Sequence, residues 1–297
     1  MENAKAMPGY LSATSTYVAE NGQAAPYGLL KIISTCAWGF GYFGMPHILL
    51  RFMAIEDENK LKLSRRVASV WVVIAMAMAV FIGIVGNALS KGGVIAALTG
   101  SDTETVIVRI ADLLSSYGIF PALMAGLILA GILASTMSTA DSQLLAASSS
   151  VSQNILQDTL HMNLSQKTSM VIARVTVVVI AVLGVFIARN PNSSVFGIVS
   201  FAWAGFGAAF GPVIICSLFW KRTTLPGAVL GMIAGGAMVF IWKYLVAPMG
   251  GAFAIYELLP AFLVGTAVIV LISLAGKAPS KEIMAEFEAA KSTDSLK

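Results

Sequence analysis

Long apolar runs constrain this chain more than any other feature of its sequence. Seven stretches, near 29–50, 67–89, 120–145, 168–188, 195–220, 226–246 and 253–276, carry few charges. Each is about 20 residues or longer, the length a helix needs to cross the hydrocarbon core of a bilayer. Membrane barrel strands give a weaker signal, alternating over segments of about ten residues. The runs therefore predict an all-α integral membrane protein with about seven transmembrane helices. Composition agrees: 57% of the 297 residues are hydrophobic and 11% are charged, against about 25% charged in soluble domains. Nineteen cations and fifteen anions cannot cover the surface of a water-soluble fold. That excludes a soluble enzyme or a nucleic-acid binder. Cys36 and Cys216 lie inside apolar runs, and the two histidines are His47 and His161. Neither a disulfide framework nor a zinc cluster can be built from these.

Cations orient the spans. Arg51, Lys60, Lys62, Arg65, Arg66, Lys167, Lys221, Arg222, Lys277, Lys281, Lys291 and Lys297 fall in one set of loops. The other set holds Lys5, Lys31, Lys91, Arg109, Arg189 and Lys243, while Arg174 lies within a span. The cation-rich set is expected in the cytoplasm, which places the C-terminus inside and the N-terminus outside. Residues 1–28 read as an extracellular or periplasmic loop segment, 29–276 as a transmembrane transporter domain and 277–297 as a cytoplasmic tail, a short helix or disorder. Residues 1–28 are polar and lack the apolar core of a signal peptide. They are expected to belong to a loop of a longer protein whose earlier spans are missing, or else to be a translocated tail. Between the second and third runs, 103–116 is amphipathic, with Val106, Val108, Ile110, Leu113 and Leu114 in a stripe and Asp102 placed to cap it. It is expected to lie on the bundle as an interfacial helix.

The first run contains Gly39, Gly41, Gly44 and Pro46. Its G-x-G-x-x-G spacing has dinucleotide-binding meaning only after a strand in a βαβ unit, so that reading fails inside an apolar span. Glycine lowers helix propensity by about 1 kcal/mol and proline by about 3, and Pro46 clashes with the carbonyl of Tyr42. A break is predicted here. Unpaired backbone survives in a bilayer only where it is buried in protein or lines a cavity, and broken helices hold substrate in many secondary transporters. Trp38 and Tyr42 are four residues apart and could form an aromatic wall beside the break. A simple packing kink is the alternative.

The third run carries Ser135, Thr136, Ser138, Thr139, Asp141 and Ser142. At 100° per residue, Ser135, Ser138, Thr139 and Ser142 fall within roughly 100° of arc. Hydroxyl and carbonyl oxygens suit a small hard cation, but serine and threonine also join membrane helices. Asp141 lies off that arc. Its expected roles are an ion pair with Arg174 or a second cation site with Ser142, and Arg174 alone could reach the headgroups. Further on, Gly207 and Gly211 precede Pro212, and Gly227, Gly231 and Gly235 recur every fourth residue. The later set reads as close helix packing; the earlier one reads as close packing or as a hinge facing the pathway.

Several of these segments together resemble the solute:sodium symporter family, in particular its proline-carrying bacterial members. They are AWGFGYFGMPHILLRFMA at 37–54, MSTADSQLL at 137–145, ARNPNSSVFGIVSFAWAGFGAAFGPV at 188–213 and LAGKAPS at 274–280. The resemblance runs from about 29 to 280. It implies a LeuT-like inverted-repeat transporter fold, of which the first five spans would be the second repeat, followed by two peripheral helices. The first repeat is missing. It implies that Trp38, Tyr42 and Pro46 bind substrate and that Ser138 and Thr139 give hydroxyl ligands to sodium, with the carbonyl of Ser135. The remaining sodium ligands would come from the missing repeat. Met45 stands where glutamine is usual, Ser135 where alanine is common, and Asp141 where a small polar residue is usual. The implied function is sodium-coupled symport of L-proline by alternating access across a bacterial cytoplasmic membrane. Sodium is then the coupling ion, the lipid bilayer the surroundings, and no enzymatic chemistry is expected. The rival readings are a sodium symporter for another small solute, or the membrane sensor half of a signalling protein.

Overall fold

The computed structural model describes residues 7–12, 14–18, 22–57, 59–189 and 194–295. Residues 1–6, including Lys5, together with Lys297 and the stretch 190–193 within one of the family-like segments, lie outside them. Two short strands come first, β1 (Ser15–Val18) and β2 (Gln23–Pro26), paired as a two-stranded sheet. Among the described residues this hairpin is the one departure from an all-helical chain. The helices follow as α1 (Leu29–Gly41), a 3-10 turn at Tyr42–Gly44, α2 (Pro46–Met53) and α3 (Lys60–Lys91). A 3-10 segment at Gly100–Thr105 leads into α4 (Val106–Ser115), and then α5 (Ile119–Ser149), which continues as a π-helix through Ser150–Thr159. The chain closes with α6 (Gln166–Ala188), α7 (Val195–Phe219), α8 (Leu225–Ile241), α9 (Leu258–Ala275) and α10 (Lys281–Ser295).

Six helices among the described residues are long and apolar enough to cross a membrane: α3, α5 with its π extension, α6, α7, α8 with the turns after it, and α9. The remaining apolar run, the first, is divided into the 13 residues of α1 and the 8 of α2. Gly118 starts α5 at φ 108°, a left-handed conformation open to a residue without Cβ.

Two compact units make up the chain, one centred on Ala54–Val195 and the other on Ala25–Met53 with Phe196–Lys297. In the first unit, the apolar windows of α3 and α6 bury no residue, although each carries at most two charged residues. A helix that is hydrophobic all round belongs in a core or in a membrane. Asp102 does not cap the amphipathic helix. The chain makes a 3-10 turn there, Thr105 Oγ1 donates to the Asp102 carbonyl at 2.7 Å, and α4 begins only at Val106 without a side-chain cap. Val106 itself rests against Gly86 of α3, where a Cβ would collide with its methyl group. Ala111 is fully buried.

The second unit has the denser core. Ala204, Ala208, Val239, Leu258, Ala261 and Phe262 are buried together where α7, α8 and α9 meet. Small residues allow that approach. A Cβ on Gly231 would strike Ile269, one on Gly227 would strike Ser273 Oγ, and one on Gly235 would strike the Ala208 carbonyl. The four-residue glycine spacing of α8 is therefore a packing seam. Its amino end is capped by Thr224, whose Oγ1 accepts from Gly227 N at 3.3 Å. At the same end of this pair of helices, Arg222 Nη2 donates to the carbonyls of Gly276 (2.9 Å) and Leu274 (3.4 Å). A cation there satisfies orphan carbonyls of α9 and complements its dipole.

Candidate functional site

In the second unit the break falls where glycine and proline place it. Tyr42 N–H turns to the Gly39 carbonyl, a tighter bond than the helical one to Trp38. Met45 is extended at φ −82°, ψ 110°, the conformation favoured before proline. Pro46 then starts α2, and Ile48 N and Leu49 N both donate to the Met45 carbonyl at 3.0 Å. Two helix ends thus meet at 42–45.

Around this break the structure gathers aromatic rings. Trp38 stacks on Phe196, Trp203 and Tyr256 at 5.5, 5.6 and 5.8 Å between centroids, with interplanar angles of 11–15°. Tyr42 stands edge-on to Trp203 at 4.8 Å and 83°. Trp38 and Tyr42 do share a wall, and Trp203 of α7 lies between them. Offset and edge-to-face pairs contribute about 0.5–1.5 kcal/mol each beyond their buried area. Tyr256 is held at both ends: its O–H donates to the Ser200 carbonyl at 2.6 Å and its N–H to Ser34 Oγ at 3.1 Å. Trp203 and Tyr256 were not singled out from the sequence. The alternation of aromatics and glycines at 201–211 was the signal that could have found Trp203.

Glycine governs the contact between the break and α7. A Cβ on Gly41 would enter the Trp203 indole, and one on Gly44 would lie 2.8 Å from Gly207 Cα and inside contact with the Phe206 carbonyl. From the other side, a Cβ on Gly207 would lie 2.7 Å from Gly41 Cα. The glycines of α7 therefore pack the helix against the break, and α7 is continuous through Pro212. Pro46 is half-buried, Met45 is buried and Tyr42 is exposed.

The hydroxyl face lies in the first unit, on α5. Thr139 Oγ1 donates to the Ser135 carbonyl at 3.2 Å and Ser142 Oγ to the Ser138 carbonyl at 2.9 Å. Thr136 does the same to Ile132 at 2.9 Å. A hydroxyl that gives its proton to the preceding turn keeps its lone pairs outward, and each carbonyl retains a second lone pair. Ser135, Ser138 and Thr139 are exposed and Ser142 is half-buried. This is a row of oxygen acceptors of the hardness that small cations need. Asp141 and Arg174 are both exposed. They form no ion pair; among the described residues the ion pairs are Lys60–Glu56 at 3.3 Å and Lys243–Glu257 at 3.8 Å. Asp141 remains a carboxylate beside Ser142, so of its two expected roles the ion pair is absent here. No group of three or more His, Cys, Asp or Glu among the described residues could hold a metal.

Comparison with known proteins sets these features in a family. The model of the sodium:solute symporter family matches residues 5–235. A sodium/proline symporter of Haemophilus influenzae is 41% identical over 263 residues, which is 88% of this chain and 51% of the relative. The sodium/proline symporter of Escherichia coli K12 is 40% identical over 259 residues, 87% of this chain and 50% of that one. The osmoregulated proline transporter OpuE of Bacillus subtilis is 38% identical over 254 residues, 85% and 49% of the two chains. The chain spans about half the length of the curated relatives it matches. No solved structure matches it.

Proposed function

The chain belongs to the sodium:solute symporter family, and we propose that it serves sodium-coupled uptake of proline across a bacterial cytoplasmic membrane. The observation that carries this reading is the broken helix at 42–45, lined by Trp38 and Tyr42, in a chain about 40% identical to sodium/proline symporters. On this reading the fold is LeuT-like, with α1–α7 contributing the second inverted repeat and α8 and α9 lying at its periphery. The first repeat would lie in a part of the protein that precedes this chain. The asymmetry of the loop cations supports a cytoplasmic C-terminus.

Substrate would meet the break. Trp38 and Tyr42 offer an apolar, π-rich wall against which a pyrrolidine ring and its secondary ammonium can rest, and Pro46 keeps the backbone from closing into a continuous helix. Sodium travels as the second cargo. Ser138 and Thr139 would bind it through hydroxyl lone pairs and Ser135 through its carbonyl, with Asp141 and Ser142 the candidates for a further ion. Each cargo stabilises the state that binds both, and linkage makes the effect mutual. The two bundles would then rock around the fixed sites to expose them alternately.

The test is uptake by the full-length gene product in proteoliposomes. Proline accumulation is expected to follow an inward sodium gradient. Ser138→Ala or Thr139→Ala is expected to raise the half-saturating sodium concentration about tenfold, equivalent to about 1.4 kcal/mol. Tyr42→Ala is expected to raise the KM for proline. Uptake indifferent to sodium, or unaltered in all three variants, overturns the assignment. The buried Met45, an apolar residue at the break, favours a second reading in which another small solute is carried. A competition panel in the same vesicles decides between the two.

A further inference from the structure

The break in the first apolar run takes the helical donor away from the Trp38 carbonyl. Because Tyr42 N–H turns to Gly39, the Trp38 carbonyl loses the amide that a regular helix would supply. That carbonyl is not left bare. Trp203 Nε1–H, 165 residues away in sequence, donates to it at 3.0 Å. The same indole fills the space over Gly41, stacks on the Trp38 ring and takes the edge of Tyr42. One side chain therefore touches the break in four ways: a backbone carbonyl, a glycine face and two rings. Trp203 is half-buried, and α7 presents it from the level of its packed neighbours Ala204 and Gly207, both buried.

We propose that Trp203 is a positioning residue that pins the broken helix, with its indole N–H standing in for the missing helical amide and its ring setting the spacing of Trp38 and Tyr42. An unpaired carbonyl in an apolar medium costs several kilocalories per mole, and the N–H removes that cost while leaving the helix open. The glycine at position 41 is required because the pin occupies the place of its side chain. The consequence for transport, that the aromatic wall meets the substrate only while pinned, rests on the reading of the site given above. The pin itself does not.

Two measurements separate those statements. The full-length gene product in lipid nanodiscs is followed by hydrogen–deuterium exchange in wild type, Trp203→Phe and Trp203→Ala. Phenylalanine keeps a ring and removes the N–H; alanine removes both. The amides of 42–45 are expected to exchange about two- to tenfold faster in Trp203→Phe, the range that one net hydrogen bond supplies, and faster again in Trp203→Ala. Peptides from α9 are expected to exchange as in wild type. Unaltered exchange at 42–45, or an equal rise in α9, overturns the pin. In proteoliposomes, Trp203→Phe is expected to raise the KM for proline about three- to tenfold with Vmax retained. A fall in Vmax at constant KM overturns the positioning role towards substrate. If wild type carries no proline, the functional assignment fails and exchange alone decides the pin.

Discussion

Buried and exposed hydroxyls in this chain are expected to do different work, although their residue types do not distinguish them. Ser273 lies in an apolar stretch of α9 and is fully buried. Its Oγ accepts from Thr224 N and Thr224 Oγ1, both at 3.1 Å, so it ties the cap of α8 to α9. Nothing in the sequence marks it, because its partner lies 49 residues away. Ser138 and Thr139 were legible as acceptors because the pattern that collects them is local to one helix. The two classes are expected to separate on mutation. Ser273→Ala strands the Thr224 amide and is expected to cost about 1–3 kcal/mol of stability, read as a lower thermal midpoint in detergent with or without sodium. Ser138→Ala is expected to leave the sodium-free midpoint in place and to lose the rise that saturating sodium produces in wild type, since a bound ion stabilises by mass action. A sodium-independent loss at Ser138 would make it a packing residue.

Among the elements, the break and the seam were legible for the same reason. Glycine and proline act on their own backbone, so Gly39, Gly41, Gly44 and Pro46 announce a discontinuity without reference to the rest of the fold. The period of Gly227, Gly231 and Gly235 likewise announces a flat helix face. What those faces meet was not legible, since it depends on pairing between distant segments. Pro212 shows the point. It cannot donate to the carbonyl of Ala208, and that oxygen points at α8 and α9, where a Cβ on Gly235 would overlap it and one on Gly265 would lie 3.2 Å away. Glycines on two other helices thus accommodate a carbonyl freed by a proline on α7. Weak Cα–H···O contacts suit such an arrangement. Gly235→Ala is therefore expected to cost about 1–3 kcal/mol through overpacking. Gly236→Ala, whose Cβ would meet only Ala209 Cβ at 3.8 Å, is expected to be neutral or to stabilise by up to about 1 kcal/mol through helix propensity. Thermal midpoints of the two variants in one detergent make the comparison, and equal losses at both positions would show that the seam is not what limits α8.

For the molecule as a whole, charge is expected to decide orientation because so little of it is present. Within α3, Lys60, Lys62, Arg65 and Arg66 occupy the first two turns and Lys91 alone the last, with an apolar span between them whose central window buries no residue. A cation that must cross the hydrocarbon is costly, and the excess of arginine and lysine stays on the cytoplasmic side. The start of α3 and the segment after α9 should then share one side, and the loop at 92–99 the other. Single cysteines placed in the full-length gene product test this in intact cells with a membrane-impermeant maleimide. Ala97→Cys is expected to label from outside. Lys62→Cys and Ala278→Cys are expected to label only after permeabilisation. Labelling of Lys62→Cys in intact cells with protection of Ala97→Cys would reverse the orientation. The hydroxyl face of α5 would then approach the membrane from the opposite side, and the direction of sodium-driven uptake proposed for this protein would fail with it.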